Sequence, residues 1–262
     1  MTVIMIKIEN VITPSTEQWE AIIRGCRNPM NSWDKSDSHG CFTAIDGGYC
    51  PDPDCELYVS YCVRPNDLDL MTRLRNAGTD HRKFMRMITV YVDITAPLYW
   101  WKEFDTYKVG TVANSCSTMH KIADKEFTLD DFSYEHLFDF CPNSDTDSMT
   151  VLRYIIGWLN CCREKYLKTK DKEDWWQMIQ LLPSSYNQRR TVMLNYEVLT
   201  NIYKSRKNHK LDEWCVHDTP KEYDFRKEYD FRNKDFSSGM WGFCDWIENL
   251  PYSELITGEK AE

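Results

Sequence analysis

The sequence predicts a mixed α/β domain, in which a central sheet is flanked by long helices. Short runs that alternate apolar and polar residues are interleaved with longer runs whose apolar residues recur at helical spacing, the patterns that half-buried strands and amphipathic helices require. No Gly/Ser- or Pro-rich linker divides these runs, so a single domain over residues 1–262 is expected. Hydrophobic residues make up 42% of the chain and aromatic ones 14%, ample for a packed core.

VIMIKI, at residues 3–8, reads as a strand, and Thr16 to Arg27 as a helix opened by Ser15 or Thr16. A Gly/Pro/Asp-rich segment then leads into a strand from Leu57 to Val63. Asp67 to Ala77 is helical with Gly78 as its C-cap, and Met85 to Ile94 alternates as a half-buried strand stopped by Pro97. An aromatic helix starts after Ala96-Pro97. From Asp147 to about Lys168, Val151, Leu152, Ile155, Ile156, Leu159, Cys162 and Tyr166 keep helical spacing. KTKDKED breaks that pattern, Asp174 to Leu182 forms another helix ended by Pro183, and Met240 to Leu250 is the last. KEYDFR occurs twice in tandem from Lys221 to Arg232, too short a unit for a repeat architecture. It reads as part of a polar insertion near 217–238, either a solvated excursion or a lid or oligomer contact, and a second, loop insertion is expected near 34–56.

A net charge of −9 argues against bulk binding to duplex nucleic acid, which needs many Lys and Arg facing phosphates, and makes a nucleotide monomer the better ligand. No apolar run approaches the ~20 residues that span a bilayer, and no leader-like segment opens the chain, so a cytoplasmic protein is expected. Eleven cysteines without a secretion signal read as reduced thiols rather than a disulfide framework. Cys41, Cys50, Cys55 and Cys62, with His39, are the one dense group; their spacing lacks paired CxxC ligands, so a surface loop is the stronger reading and a structural zinc the alternative.

The segment from Leu182 to Trp214 carries the chemistry. In a helix starting near Asn195, the positions Asn195, Leu199, Ile202 and Arg206 fall within one stripe. Asn195 suits an N-cap, and Arg206 near the C-terminal end offsets the helix dipole, a reading that needs no ligand. Arg189, Arg190, Lys204, Arg206, Lys207, His209 and Lys210 make the region locally basic, either as a solvated face or to favour an anion.

The order Leu182-Pro183, Asn195, Asn201, Arg206 and Asp212-Glu213-Trp214 resembles the C-terminal signature of the flavin-dependent thymidylate synthases, the ThyX family. The upstream order is similar too: Gly78-Thr79-Asp80-His81, the alternating run from Met85 to Ile94, Ala96-Pro97, an aromatic helix, then Thr106 to His120 where the family has its RHRxxSxNExSxRY flavin motif. Aligned from Ala96-Pro97, the RHR triplet falls on Thr106-Tyr107-Lys108, with Thr111 at the first Ser. Aligned from NExS, it falls on Tyr107-Lys108-Val109, with Asn114 and Ser117 matching the Asn and Ser. In either register both arginines are gone and Lys108 is the remaining cation. A charge-assisted hydrogen bond contributes about 1.5–3 kcal/mol, so each lost arginine weakens phosphate binding by roughly ten- to a hundredfold. Glu197 stands where the family usually has an Arg, and would repel a phosphate.

The resemblance implies a ThyX-like domain that methylates dUMP reductively, with FAD as cofactor and methylenetetrahydrofolate and NADPH as co-substrates, in a homotetramer with shared active sites. It implies Arg206 as the residue that binds the pyrimidine ring and polarises its N3; Asn195, Asn201, Lys108, Thr111 and His81 as cofactor contacts; and Ser117, Asn114 and Glu103 beside Arg206 at the nucleotide. No Cys is implicated. The lost arginines keep two other classes open: the same scaffold with altered pyrimidine chemistry, such as hydroxymethylation, and a flavin-free nucleotide-binding or interaction protein.

Overall fold

The computed structural model describes residues 6–40, 61–141, 145–216 and 242–258. Its centre is a four-stranded sheet in the order β1-β4-β6-β5, formed by β1 (Lys7–Ile12), β4 (Thr89–Pro97), β6 (Asn187–Asn195) and β5 (Val112–Ser115). Every pairing is antiparallel. Two residues each of β2 (His39–Gly40) and β3 (Tyr61–Cys62) make a separate small ladder.

The sheet differs from the sequence-based expectation at three points. The N-terminal strand is described from Lys7, residues 3–5 of the expected run lying outside the described residues, and Asn10, with φ of 52°, sits in an irregularity of the register between Glu9 and Ile12. The expected strand from Met85 starts only at Thr89, because Arg82–Arg86 is a 3₁₀ turn whose Phe84 and Met85 are buried, giving apolar periodicity without extension. β6 and β5 were not anticipated. In β6, Val192 and Leu194 point into the core as a strand requires, but Arg189 and Arg190 interrupt the alternation. Both charges are met, Arg189 across the sheet by Asp93 at 2.7 Å and Arg190 by Asp105, at the end of the helix that follows Pro97, at 2.7 Å, and the Arg190 guanidinium also lies over the Trp101 ring.

The helices follow their signals closely. Ser15 caps α1 (Thr16–Arg27) in a reciprocal box with Gln18. α2 (Pro65–Asn76) opens two residues earlier than expected, with proline in the first turn, where its missing N–H costs nothing. α3 (Leu98–Phe104) is the short aromatic helix LYWWKEF. Asp147 caps α4 (Ser148–Thr169), which turns through Lys170 in the left-handed region into α5 (Lys172–Leu181). α6 (Tyr196–Arg206) follows β6 directly, and α7 (Phe243–Glu248) and α8 (Glu254–Thr257) close the described chain.

One face of the sheet is covered by α1, α2, α3, α6, α7 and α8, whose buried side chains include Trp19, Trp100, Trp101 and Trp246, with Trp214 added from the turn after α6. The α4–α5 hairpin forms its own cluster with Phe127 and Phe132. The opposite sheet face carries an apolar row in direct cross-strand register, Ile12, Tyr91, Met193 and Val112. Cys62 is buried in β3, whereas Cys41, Cys50 and Cys55, most of the 34–56 insertion and all of the 217–238 insertion lie outside the described residues. Among the described residues no group of His, Cys, Asp and Glu could hold a metal, and no helix is long and apolar enough to cross a membrane.

A buried ion pair ties α1 to α2. Arg27 Nε donates to Asp67 Oδ1 at 2.5 Å, while Asp67 Oδ2 accepts from Ser36 Oγ and from the backbone N–H and hydroxyl of Ser38. Burial alone would push the Asp67 carboxyl up, but the hydrogen bonds from Ser38, Ser36 and Arg27 outweigh it and hold the group below the usual carboxylate range. Its stabilising contribution is therefore fully present above the unfolded value of about 3.9 and is lost as pH falls through the lower folded value. Asp67→Ala, which leaves the Arg27 charge buried, is expected to cost about 3–5 kcal/mol in urea unfolding. The advantage of wild type over Asp67→Asn should shrink as pH drops below about 4; a difference independent of pH there would show that the carboxylate charge is not the source.

Candidate functional site

The junction of β6 and α6 organises the candidate site. Asn195 ends the strand in extended conformation and its Oδ1 accepts from the Val198 N–H at 3.0 Å, the expected N-cap. Its Nδ2 donates at 3.3 Å to the carbonyl of Gly110. That carbonyl belongs to the loop between α3 and β5 that carries Lys108 and Thr111, so the cap also fixes the loop. Gly110 has φ of +81°, and a Cβ there would stand 2.9 Å from Asn195 Nδ2, so the close approach requires glycine.

At the other end of α6, Arg206 meets an aromatic and acidic cluster. Its Nη1 pairs with Glu103 Oε2 at 2.8 Å and its Nε donates to the Tyr107 hydroxyl at 3.0 Å, while the guanidinium lies 5.1 Å from the centre of the Trp214 ring. The same Glu103 oxygen accepts from Trp214 Nε1 at 3.0 Å and faces His209 Nε2 at 3.3 Å. One turn earlier on α3, the Tyr99 hydroxyl donates to Glu213, whose carboxyl burial pushes up. The segment Glu213-Trp214 is thus docked on α3 through two carboxylates, one from each partner.

The residues expected at the site fall into four places. Arg206 and Glu103 are in direct contact, and Tyr107, His209 and Trp214 join them; spacing along the chain gave no means of finding Tyr107 and His209. Asn195, Lys108 and Thr111 meet at the Gly110 loop, where Thr111 Oγ1 is buried with no hydrogen-bond partner and Lys108 is exposed. Asn201 lies on a different flank of α6, exposed, and accepts from Arg82 at 3.5 Å. His81 is exposed beside that arginine. Asn114 is exposed on β5 and Ser117 lies just beyond it, its hydroxyl accepting the N–H groups of Met119 and His120. The structure does not gather these two around Arg206.

Glu197 departs from expectation in an informative way. Expected to repel a phosphate, it instead accepts from Arg82 Nε at 3.3 Å and Arg86 Nε at 3.0 Å, so its charge is more than balanced locally. Both arginines come from the 3₁₀ turn after Gly78, and neither had been singled out as a site residue.

No protein-family model matches the chain, and no curated protein sequence matches it. Among solved structures, thymidylate synthase X (ThyX) from Helicobacter pylori with FAD and dUMP aligns over 98% of this chain and 98% of its own, at 13% identity and a TM-score of 0.51. The fold is ThyX-like. A second H. pylori ThyX structure, also with FAD and dUMP, covers 79% of this chain and 86% of its own at 14% identity and a TM-score of 0.45. The UMP/dUMP methylase PolB from Streptomyces cacaoi, bound with 5-Br dUMP, covers 76% of both chains at 14% identity and a TM-score of 0.44.

Within this ThyX-like fold, the Glu103 oxygen is the shared acceptor and Arg206 only one of its donors. Glu103→Ala leaves the fully buried Trp214 indole N–H without an acceptor and should cost about 1–3 kcal/mol beyond the lost ion pair. Arg206→Ala removes a partly exposed pair and should cost only about 1 kcal/mol. Equal losses in urea unfolding would contradict this asymmetry.

Proposed function

We propose that the chain is a ThyX-like nucleotide enzyme that methylates dUMP to dTMP reductively, using FAD, methylenetetrahydrofolate and NADPH. The observation that carries this reading is the Arg206 guanidinium, held by Glu103 and Tyr107 against the Trp214 ring. A planar cation fixed beside aromatic surface suits a pyrimidine, since it can donate to ring oxygens and stabilise negative charge at N3. Glu103 positions Arg206, and substrate competes with that carboxylate for the guanidinium. The H. pylori ThyX of the same fold holds FAD and dUMP, which supports ligands of that class here.

FAD would supply hydride chemistry. The unpartnered Thr111 hydroxyl, the exposed Lys108 at the head of the same turn and the exposed Asn201 are the groups that would hold it. The segment Thr106 to Val109, in which neither register of the family's RHR triplet keeps an arginine, favours as a second reading the same fold with altered pyrimidine chemistry such as hydroxymethylation, or a flavin-free nucleotide-binding protein. Assembly as a homotetramer fits two exposed apolar features: the cross-strand row from Ile12 to Val112, and the stripe of Val151, Tyr154 and Trp158 on α4.

After reconstitution with FAD and removal of excess, visible absorption should show flavin near one per chain; no flavin at high FAD concentration would move the assignment to the flavin-free reading. Arg206→Ala should weaken dUMP binding about ten- to a hundredfold in calorimetric titration. Unchanged dUMP affinity in that variant would remove Arg206 from the site and leave it as a helix-end cation.

A further inference from the structure

Two hydrogen bonds at the ends of β6 fix which backbone groups of β5 face away from the sheet. The Tyr196 N–H donates to the Ile88 carbonyl at 3.1 Å and the Cys116 N–H to the Arg189 carbonyl at 2.9 Å, and each bond continues the register of its ladder. Hydrogen-bonded and non-hydrogen-bonded pairs alternate along an antiparallel ladder. Leu194, Val192 and Arg190 therefore bond to β4, while Met193 and Thr191 bond to Val112 and Asn114 of β5. The N–H and C=O groups of Ala113 and Ser115 point outward, where among the described residues no strand meets them.

This edge lacks the features that keep two sheet edges apart. From Val109 to Met119 there is no charged residue and no proline, in a chain of which 28% is charged and whose net charge is −9. Nothing covers it: all four residues of β5 are exposed, Val112 to 62%, and Val109 just before it to 92%. The arginines of the adjoining strand are paired, Arg189 with Asp93 and Arg190 with Asp105. The repulsion expected between two copies of an acidic chain thus has no source along this edge.

We infer that β5 pairs antiparallel with β5 of a second copy of the chain, about a two-fold axis at Asn114. That register sets Ala113 of each copy opposite Ser115 of the other, so that every outward N–H meets an outward carbonyl. Centring the axis on Ala113 would instead call on Thr111, whose N–H is already donated to the Lys108 carbonyl at 3.3 Å, and centring it on Ser115 would call on Ser117, beyond the end of the strand. At the axis the two Asn114 side chains face each other, and exposed Val112 of each copy lies opposite exposed Cys116 of the other. The contact is isologous and closes at two chains, joining two four-stranded sheets into one of eight strands. A second copy is the occupant because one register of this strand against itself uses all of its outward groups. The inference does not depend on the nucleotide or flavin reading.

Hydrogen exchange of the whole protein, resolved by residue in mass spectrometry, tests the pairing at a concentration where sedimentation shows association. The Ala113 and Ser115 amides should exchange at least about tenfold more slowly there than after dilution to the monomer, while the Asn114 amide, bonded within its own sheet, is protected in both. Ala113→Pro removes an outward N–H at an edge position, where a strand tolerates proline, and leaves the β6 ladder intact. It should weaken association about tenfold or more, since the donor is lost twice per dimer. Asn114→Asp and Asn114→Lys each set like charges opposite one another and should weaken association alone, whereas their equimolar mixture should recover it as the mixed dimer in native mass spectrometry. A chain that stays monomeric at its highest soluble concentration overturns the pairing, as do Ala113 and Ser115 amides that exchange equally fast in the associated and dilute protein. A mixture of the two Asn114 variants that associates no better than either alone overturns it too.

Discussion

The side chain of Asn195 stands at the point where the main strand of the sheet becomes the helix of the candidate site. Its oxygen satisfies a helix N–H, its nitrogen holds the Gly110 loop, and its backbone is still in register with Thr89 of the neighbouring strand. The next residue extends the anchorage, since the Tyr196 N–H donates to Ile88 and its hydroxyl to the Pro251 carbonyl. Sheet, helix, loop and C-terminal segment therefore meet within two residues. The placement of Arg206 at the far end of α6 follows from this start, because a helix of fixed rise and rotation carries any error at its cap to its last turn.

That junction was legible in the sequence only in part. The caps at Ser15, Asp147 and Asn195 announce their helices, because the side-chain acceptor and the N–H it serves are three residues apart and local chemistry decides the outcome. β6 was hidden because Arg189, Arg190 and Thr191 break its apolar alternation, and their partners Asp93 and Asp105 are some ninety residues distant in the chain. β5 was hidden because its four residues are exposed and show no burial pattern. At the site, Asn195 and Arg206 stood out as fixed points, but the acceptor that holds Arg206 and the arginines that neutralise Glu197 lie on other elements, about a hundred residues away.

Charge is partitioned across α6 rather than spread along it. One flank presents Arg206 to a single carboxylate amid aromatic rings; another presents Glu197 to two arginines beside further cations. The two flanks share a helix but no ionic partner. Glu197, unfavourable for anions when read alone, serves here to orient Arg82, and the local balance is positive.

β5 occupies the end of the sheet order, so among the described residues its outer edge meets no other strand. Such an edge is an open row of N–H and C=O groups, and here it adjoins Val112 and Val109, both largely exposed. A newly made chain would carry this sticky margin from the moment its sheet closed. Off-pathway strand addition between chains, and amyloid-like aggregation at high expression, is the hazard that follows, and prompt burial of the margin in an assembly is what would suppress it.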